Sequence, residues 1–315
     1  MLGIKVSVII CTCNRAEHLR QTLAAMADVC VPDTMPTELI VVDNASTDET
    51  AEVVQQCQLP NMLVRYVHEP RRGQCYARNT GMAEAHGDVF LFTDDDVRPP
   101  ENWIEGMCGP ILRGEVDAIV GGVEIAPHLN KPWMTSYHRT WLASTEGINP
   151  EAPQNMVGAN MAFSRKVLKK VPAFDTELGP GQLGFGDDTL FSWQIRQAGF
   201  RLISALHVTI EHHFDPSRLE RHQLRRIAEN AGRSAAYLSY HWCHNKTPFA
   251  RRALIKHFTR LKFLRIMRRS ECLSSEGIAP WELHLLFDIS LYKQHLVEEK
   301  KEKKYQEQGL VKLCG

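Results

Sequence analysis

The sequence contains no apolar run of the roughly 18 residues that a membrane-spanning helix needs. It also has no excess charge of either sign, because 37 lysine and arginine residues balance 37 aspartate and glutamate residues. A balanced charge gives the protein no general attraction to nucleic acid, so we expect no nucleic-acid partner. With 315 residues, the chain is long enough for one large domain or two ordinary ones.

A disulfide framework is also missing. The nine cysteines are an odd number and lie mostly within apolar segments, which is typical of reduced thiols in a cytosolic protein. Neither Cys11-Thr12-Cys13 nor the His-Trp-Cys-His segment at 241–244 has the spacing and second ligand pair of a structural zinc site. We therefore expect a cytoplasmic protein.

Strand and helix patterns alternate through the first half of the chain. Apolar, β-branched runs predict strands at 5–11, 38–43, 62–67, 89–93 and 117–126. Helical spacing predicts helices at 17–29 and 73–86, and a Ser46-x-x-Glu49 capping box predicts a third at 46–57. Such alternation predicts an α/β fold with a mostly parallel central sheet and helices on both faces. From about residue 216 the chain is helical and more basic, and the charged tail at 298–308 reads as a solvated helix end.

Three consecutive aspartates, Asp94, Asp95 and Asp96, follow the apolar run 89–93. Unpaired charges are too costly to bury, and ligands bind at the carboxyl ends of strands in open α/β sheets. Oxygen ligands suit Mg²⁺ or Mn²⁺, and protein-bound Mg²⁺ is commonly shared between carboxylates and substrate phosphates. The triplet therefore indicates a metal–diphosphate site; the alternative is an acidic turn that caps the next helix.

Other polar residues follow the neighbouring strands. Thr12, Asn14 and Arg15 follow the first strand, Asp43 and Asn44 the second, and Arg78 lies in the helix after the third. Singly, each has a structural alternative as a turn, cap or helix-surface residue. Together they are expected to line one edge of one sheet, where a nucleotide would lie.

The order of these signals resembles the GT-A-fold glycosyltransferases of family 2. The motifs are SVIICTCNR, VVDNASTDET, ARNTGMAEAHGD, FLFTDDD, GANMAFSRKVL, AFDTEL and GDDTLFSWQIRQAGF. The resemblance implies a catalytic domain at 1–214, with a nucleotide-sugar half to about 126 and an acceptor half at 127–214. A helical region would follow at 215–315. It also implies metal-assisted, inverting transfer of a sugar from a nucleotide diphosphate sugar, usually a UDP-sugar, to a glycan or lipid-linked glycan.

The resemblance also implies roles for the strand-end residues. Asp43 would bind uracil, and Arg78 would add positive charge beside the nucleotide. Asp96 and His212 would hold the divalent metal, while His213 is as readily a surface histidine. The remaining nucleotide-sugar contacts would come from Thr12, Asn14, Arg15 and Asn44 around base and ribose, and from Asp94 and Asp95 on ribose or donor sugar.

Asp187-Asp188 takes the place of the Glu-Asp pair that the family uses for base catalysis. A glycine-rich loop at 178–186 precedes it, as in the family, although aspartate replaces the usual glutamate. We expect Asp188 to be the general base and Asp187 to contact the acceptor, the alternative being helix caps. Gln194, where the family usually has arginine, is expected to be structural.

Two further segments of the sequence each allow two interpretations. The aromatic loop at 127–154, with Trp133, Tyr137 and Trp141, could stack on acceptor sugars or pack as a lid. The basic segment 249–269 could lie on the inner face of the plasma membrane or pack on the catalytic domain.

Two other functions compete with glycosyl transfer. A non-catalytic nucleotide-sugar-binding scaffold would be favoured by loss of the aspartates, which are present. A sugar-1-phosphate nucleotidylyltransferase would need a glycine-rich, basic loop after the first strand, which 11–15 lacks.

Overall fold

An eight-stranded sheet followed by three long helices makes up the protein. The computed structural model describes residues 3–313. The strands are β1 (Val6–Thr12), β2 (Thr37–Asp43), β3 (Leu63–His68), β4 (Val89–Thr93), β5 (Val97–Arg98), β6 (Ala118–Ile125), β7 (Asn160–Ser164) and β8 (Leu202–His212). The α-helices are α1 (Ala16–Met26), α2 (Thr50–Gln56), α3 (Gln74–Glu84), α4 (Trp103–Leu112), α5 (Ser136–Trp141), α6 (Asp187–Gln197), α7 (Arg221–Tyr237), α8 (Ala250–Met267) and α9 (Pro280–Glu298).

The sheet order is β3-β2-β1-β4-β7-β6-β8-β5. Strands β1 to β4, β6 and β8 share one direction, and β7 and the short β5 run against them. The predicted mostly parallel α/β sheet is therefore confirmed, with an antiparallel strand near its centre. In the parallel half, Thr12 pairs with Asp43, and Thr93 pairs with Ile10, so the polar strand ends meet at one edge.

Both faces of the sheet are buried, which explains why its strands read as continuous apolar runs. Val8 and Ile10 point to the side covered by Leu19 and Leu23 of α1, and Ile9 points to the opposite side. Each fully buried side chain of this kind stabilises the fold by roughly 1.5–3 kcal/mol. The predicted cover of helices on both faces is thus present, and it fixes the edge that carries the polar residues.

Asn160 holds the antiparallel strand in place. It is fully buried, accepts a hydrogen bond from Trp103 Nε1 at 2.9 Å and donates to the carbonyls of Gly122 and Val208 at 2.9 and 3.0 Å. A β-carbon at Gly121 would lie 2.1 Å from its amide nitrogen, so only glycine fits there. The Asn of the GANMAFS motif is therefore structural.

The predicted capping box at Ser46 is wrong. Helix α2 begins only at Thr50, because Ser46 is engaged in the turn after β2: its N–H donates to Asp43 Oδ1 and its hydroxyl accepts from Asn14 N. Asp48 instead accepts from the backbone of Thr50, at the start of α2. A serine needed by the neighbouring loop is not free to cap.

The segment 298–308 is mostly exposed, as predicted, but it continues past the end of a helix and buries Tyr305. Helix α9 ends at Glu298, and the chain after it folds back on the catalytic half. Tyr305 is buried and donates its hydroxyl to Asp175 at 2.8 Å, and Gln308 N donates to Trp242 O at 2.8 Å. Charge density alone predicted exposure, but Tyr305 gives the tail an apolar residue to bury.

Helices α7, α8 and α9 share an apolar cluster that includes Leu224, Leu261 and Leu286. Within residues 3–313, no helix combines the length and the apolar character needed to cross a membrane. Every cysteine among these described residues is free, as expected for reduced thiols.

Candidate active site

A single cavity of about 1200 Å³ holds both acidic groups that the sequence singled out. Its walls come from the carboxyl ends of β1 and β4, the glycine-rich loop at 178–186, and helices α6 and α7. We call Asp94, Asp95 and Asp96 the aspartate triplet, and Asp187 and Asp188 the acidic pair. The cavity can hold a large polar ligand that touches both groups.

The aspartate triplet and His212 form a site that fits a divalent cation. One ligand atom each of Asp94, Asp96 and His212 lie within 4.8 Å of one another. Asp96 Oδ1 is buried without a hydrogen-bond partner among the described residues. Carboxylate-rich sites of this kind suit Mg²⁺ or Mn²⁺. The prediction named Asp96 and His212, and the geometry adds Asp94.

His212 is oriented for this role by the backbone. Its Nδ1 lies 3.0 Å from Leu142 O, and its Nε2 lies 3.2 Å from Asp96 Oδ1. A carbonyl can only accept, so Nδ1 carries a proton and Nε2 is the nitrogen that faces Asp96 and the site. This support from a neighbouring carbonyl is common for metal-binding histidines.

Arg15 and Thr12 neutralise the other side of the triplet. Arg15 contacts Asp95 at 2.9 Å and Asp96 at 2.5 Å, and Thr12 donates to Asp95 at 2.7 Å. Burial raises the pKa of Asp95 to about 7, although the charge of Arg15 opposes the shift. Burial would also raise the pKa of Asp96, but the nearby His212 and Arg15 outweigh it and hold that pKa below its usual value. Burial and the charge of Asp96 raise the pKa of Asp94.

Arg218 is a cavity residue that the sequence reasoning missed. It lies in the short turn after β8, lines the cavity beside the triplet, and stacks 5.2 Å from the Phe214 ring. Within residues 3–313 its guanidinium has no hydrogen-bonding or ion-pair partner, although Asp96 lies near enough to influence its charge. A free cation beside the triplet suits a phosphate group. The only sequence signal was an arginine six residues after His212.

The acidic pair is divided by its contacts. Asp187 is buried and paired with Arg78, whereas Asp188 accepts hydrogen bonds from Gly158 N at 3.0 Å and Thr189 N at 2.7 Å. Burial, reinforced by the charge of Asp187, raises the pKa of Asp188 to about 6. A carboxylate with no cation of its own and a pKa near neutrality suits a general base.

The acidic pair forms the first two residues of helix α6, which begins after Gly186. Gly186 occupies the N-cap position with a φ of 86°, which only glycine adopts readily. Gln194 lies on the same helix and is buried, as expected for a structural residue.

Not every predicted nucleotide contact faces the cavity. Asp43 and Asn14 lie outside its lining: Asp43 accepts from Ser46 N and from Tyr66 OH, and Asn14 accepts from the loop after β2. Asn44 does line the cavity, but its amide is occupied by the backbone of Glu69, Arg71 and Gly73. These side chains hydrogen-bond within the loops of that edge, and the nucleotide contacts assigned to them stay predictions.

Arg78 lines the cavity with its guanidinium paired to Asp187, and its role beside the nucleotide stays a prediction. His213 points away from the triplet and contacts Glu211 at 3.0 Å.

The three rings of the aromatic loop divide between packing and the cavity wall, and stacking on acceptor sugars stays a prediction. Tyr137 stacks on His284 of α9 at 4.1 Å, and Trp133 donates to Glu276, so these two rings pack against the carboxy-terminal region. Trp141 instead lines the cavity, with its ring 6.0 Å from Phe185. Its indole N–H is buried without a hydrogen-bond acceptor among the described residues.

A GT-A glycosyltransferase is the class of protein that this sheet and cavity define. The solved structure of the mannosyltransferase PcManGT from Pyrobaculum calidifontis, in complex with GDP-Man and Mn2+, has the same fold. It matches with a TM-score of 0.64 and 18% identity, covering 94% of this chain and 88% of that one. The chain belongs to glycosyl transferase family 2, whose family model matches residues 7–172.

Two curated relatives agree with this placement. The chain is 34% identical over 202 residues to the glycosyltransferase AglE of Haloferax volcanii, covering 64% of each protein. It is 28% identical over 184 residues to the glucosyl-dolichyl phosphate glucuronosyltransferase of the same organism, covering 56% of this chain and 58% of the relative. The chain thus spans less than two thirds of the length of either relative.

Proposed function

We propose that the protein is an inverting glycosyltransferase that moves a sugar from a UDP-sugar to a hydroxyl of a glycan or lipid-linked glycan. A divalent cation, Mg²⁺ or Mn²⁺, would be held by Asp94, Asp96 and His212. Asp188 would be the general base. The observation that carries the proposal is the placement of two acidic groups with different environments in one cavity.

The donor fits the end of the cavity that carries the triplet. Thr12 and Arg15 lie at the end of β1, where a nucleotide binds in sheets of this kind. A cation bound there would neutralise the charge that develops on the departing diphosphate. The unpartnered guanidinium of Arg218 would bind an oxygen of the same diphosphate.

The acceptor fits the end that carries the acidic pair. The rings of Trp141 and Phe185 offer apolar faces of the kind on which sugar rings stack. Asp187 is engaged with Arg78, so Asp188 is the carboxylate available to an incoming hydroxyl. The relative named for a glucosyl-dolichyl phosphate substrate makes a lipid-linked glycan a reasonable acceptor to test first.

The reaction that follows is one direct displacement. Asp188 takes the proton of the acceptor hydroxyl while the hydroxyl oxygen bonds to the anomeric carbon of the donor. The bond from that carbon to the diphosphate oxygen breaks, and both of its electrons leave with the nucleoside diphosphate. Because attack comes from the side opposite the leaving group, the product carries inverted configuration.

The test is release of nucleoside diphosphate from a panel of UDP- and GDP-sugars, with and without Mn²⁺. The panel is run with and without lipid-linked glycan acceptors, and the anomeric configuration of any product is read by NMR. We expect cation-dependent turnover with one donor and an inverted product. Asp96→Asn, purified in the same way, controls for contaminating enzymes. A retained configuration would overturn the direct displacement, and donor binding without any turnover would favour a non-catalytic binding protein.

A further inference from the structure

Helix α8 has two apolar faces, and only one of them is packed. Leu261 and Leu264 turn inward and join the cluster shared with α7 and α9. On the other side, Ile255, Ile266 and Met267 expose 65, 75 and 67% of their surface. Packing against the rest of the protein explains the apolar residues of the inner face but not those of the outer face.

The outer apolar residues form a strip along one side of the helix. Ile255 and Ile266 are separated by three helical turns and therefore lie on the same line along the helix. Phe258 and Phe263 flank this line and are 47 and 60% exposed. We call this strip, with its flanking cations, the outer face of α8. An exposed strip of large apolar side chains marks an interaction surface.

Six of the eight cations of the α8 segment have no acidic partner within residues 3–313, whereas Arg268 pairs with Glu271 at 3.6 Å. The segment 251–269 contains eight lysine and arginine residues and no aspartate or glutamate. Arg265 turns inward to the buried Glu282. Among the described residues, no carboxylate lies within ion-pair distance of Arg251, Arg252, Lys256, Arg260, Lys262 or Arg269. Their charge is therefore available to an anionic partner.

We propose that the outer face of α8 binds the surface of a bilayer that contains anionic phospholipid. The alternation of large apolar side chains with unpaired cations matches the two layers of that surface, in which acyl chains lie beneath phosphate groups. A second copy of the chain would bring like charges together, which opposes pairing. Nucleic acid would use the cations but would leave Ile255, Ile266 and Met267 without a partner.

Both components are needed for binding. Lys256, Arg260 and Lys262 draw the helix to the anionic surface, and this attraction weakens with added salt. The apolar strip then enters the boundary between head groups and acyl chains. Stems of the same cations lie along the apolar surface while their charged ends stay in water, as with Lys262 above the Phe258 ring at 4.8 Å. The structure therefore assigns α8 a peripheral contact and not a membrane span.

The experiment is co-flotation of the full chain with vesicles of phosphatidylcholine alone or with added phosphatidylglycerol, at low and high salt. We expect binding only to the anionic vesicles and release by salt. The triple variant Lys256→Gln/Arg260→Gln/Lys262→Gln should reduce the partition coefficient about 10- to 100-fold. Its matched control, Arg20→Gln/Arg113→Gln/Lys169→Gln, removes three exposed charges from the catalytic half and should bind as the wild type does.

A second pair of variants separates insertion from attraction. Ile255→Asn/Ile266→Asn keeps every charge but should still lose anionic-vesicle binding, whereas Leu63→Asn/Val297→Asn, at other exposed apolar positions, should not. Near-UV circular dichroism confirms that all four variants keep the fold. Three outcomes would overturn the proposal: no binding of the wild type to anionic vesicles, full binding by the lysine–arginine variant, or a dimer in solution that Ile255→Asn/Ile266→Asn dissociates.

Discussion

The aspartate triplet and the acidic pair contain the same side chain but are neutralised differently. Arg15 and His212 surround Asp96, and their charges hold its pKa below the usual value despite burial. Arg78 is paired with Asp187, and burial together with the charge of Asp187 raises the pKa of Asp188 to about 6. A carboxylate held ionised is suited to cations, and one that titrates near neutrality is suited to proton transfer. The contacts, not the residue type, therefore distinguish Asp96 from Asp188.

Asp188→Asn is expected to have the largest effect, because it removes only the proton acceptor. Transfer should fall by roughly 10²–10⁴-fold, the range typical of a lost general base. Binding of UDP measured by calorimetry should be unchanged, since Asp188 lies at the acceptor end. Asp187→Asn is a poor control because it leaves Arg78 buried without a counter-charge. Thr189→Ser, at the next position of α6, is the better control because it removes no charge. A near-normal rate for Asp188→Asn would show that Asp188 is not the general base.

The pH dependence tests the same residue, and Asp188→Asn separates its titration from that of Asp95, whose pKa burial raises to about 7. Because a base must be deprotonated, kcat/KM should rise with pH through about 6 and level off above it. Stability should move in the opposite direction. A carboxyl with a raised pKa stabilises the folded state below its unfolded pKa, and this contribution is lost as the pH rises through about 6. Asp188→Asn should therefore gain thermal stability relative to the wild type as the pH increases.

His212→Gln tests the triplet as a cation site, with His213→Gln as its matched control. His212 directs Nε2 toward Asp96, whereas His213 contacts Glu211. Loss of a proposed ligand should weaken Mn²⁺ binding by at least the roughly 10–100-fold that even supporting partners contribute. Calorimetric titration with Mn²⁺ in the presence of UDP measures the effect directly. Equal affinities of the two variants would place the cation elsewhere.

Arg218→Gln should weaken diphosphate binding by roughly 1.5–3 kcal/mol, because it removes a charge-assisted hydrogen bond. Calorimetry with UDP and with uridine separates this effect from contacts to the nucleoside, whose affinity should not change. Arg226→Gln on α7, which removes an exposed arginine, is the control. A uniform loss for UDP and uridine would show that Arg218 supports the cavity and does not bind phosphate.

The residues of the triplet could be predicted because they are consecutive and follow a clear strand. Register then brings Thr12 and Arg15 to them, since polar residues at neighbouring strand ends must meet. The acidic pair was predicted from the resemblance to family 2, which places such a pair after a glycine-rich loop at a helix start. The sequence did not reveal that the amide of Asn44 bonds to three backbone groups of the loop after β3. Position at a sheet edge is readable from sequence, whereas side-chain direction is not.

Contacts between distant segments were beyond the sequence pattern. The carbonyl of Leu142 orients His212 across 70 positions, and Tyr305 reaches Asp175 across 130. No periodicity or motif in the sequence predicts either contact. The capping box at Ser46 failed for the same reason, since Asn14, from another loop, competes for its hydroxyl.

The smallest effect is expected at the carboxy-terminal tail, which reaches the acidic pair indirectly. Asp175 accepts hydrogen bonds from Tyr237 at 2.6 Å, Tyr305 at 2.8 Å and Lys312 at 2.5 Å, and the glycine-rich loop that follows it leads to Asp188. Tyr305→Phe removes one of these three donors and should cost about 1 kcal/mol in urea unfolding. Tyr240→Phe removes a hydroxyl that bonds to the backbone of Lys301 near the surface, and should cost less. If the tail positions the loop, Tyr305→Phe should also raise the acceptor KM while leaving UDP affinity unchanged. Equal destabilisation by the two variants, with an unchanged KM, would limit the tail to covering an apolar surface.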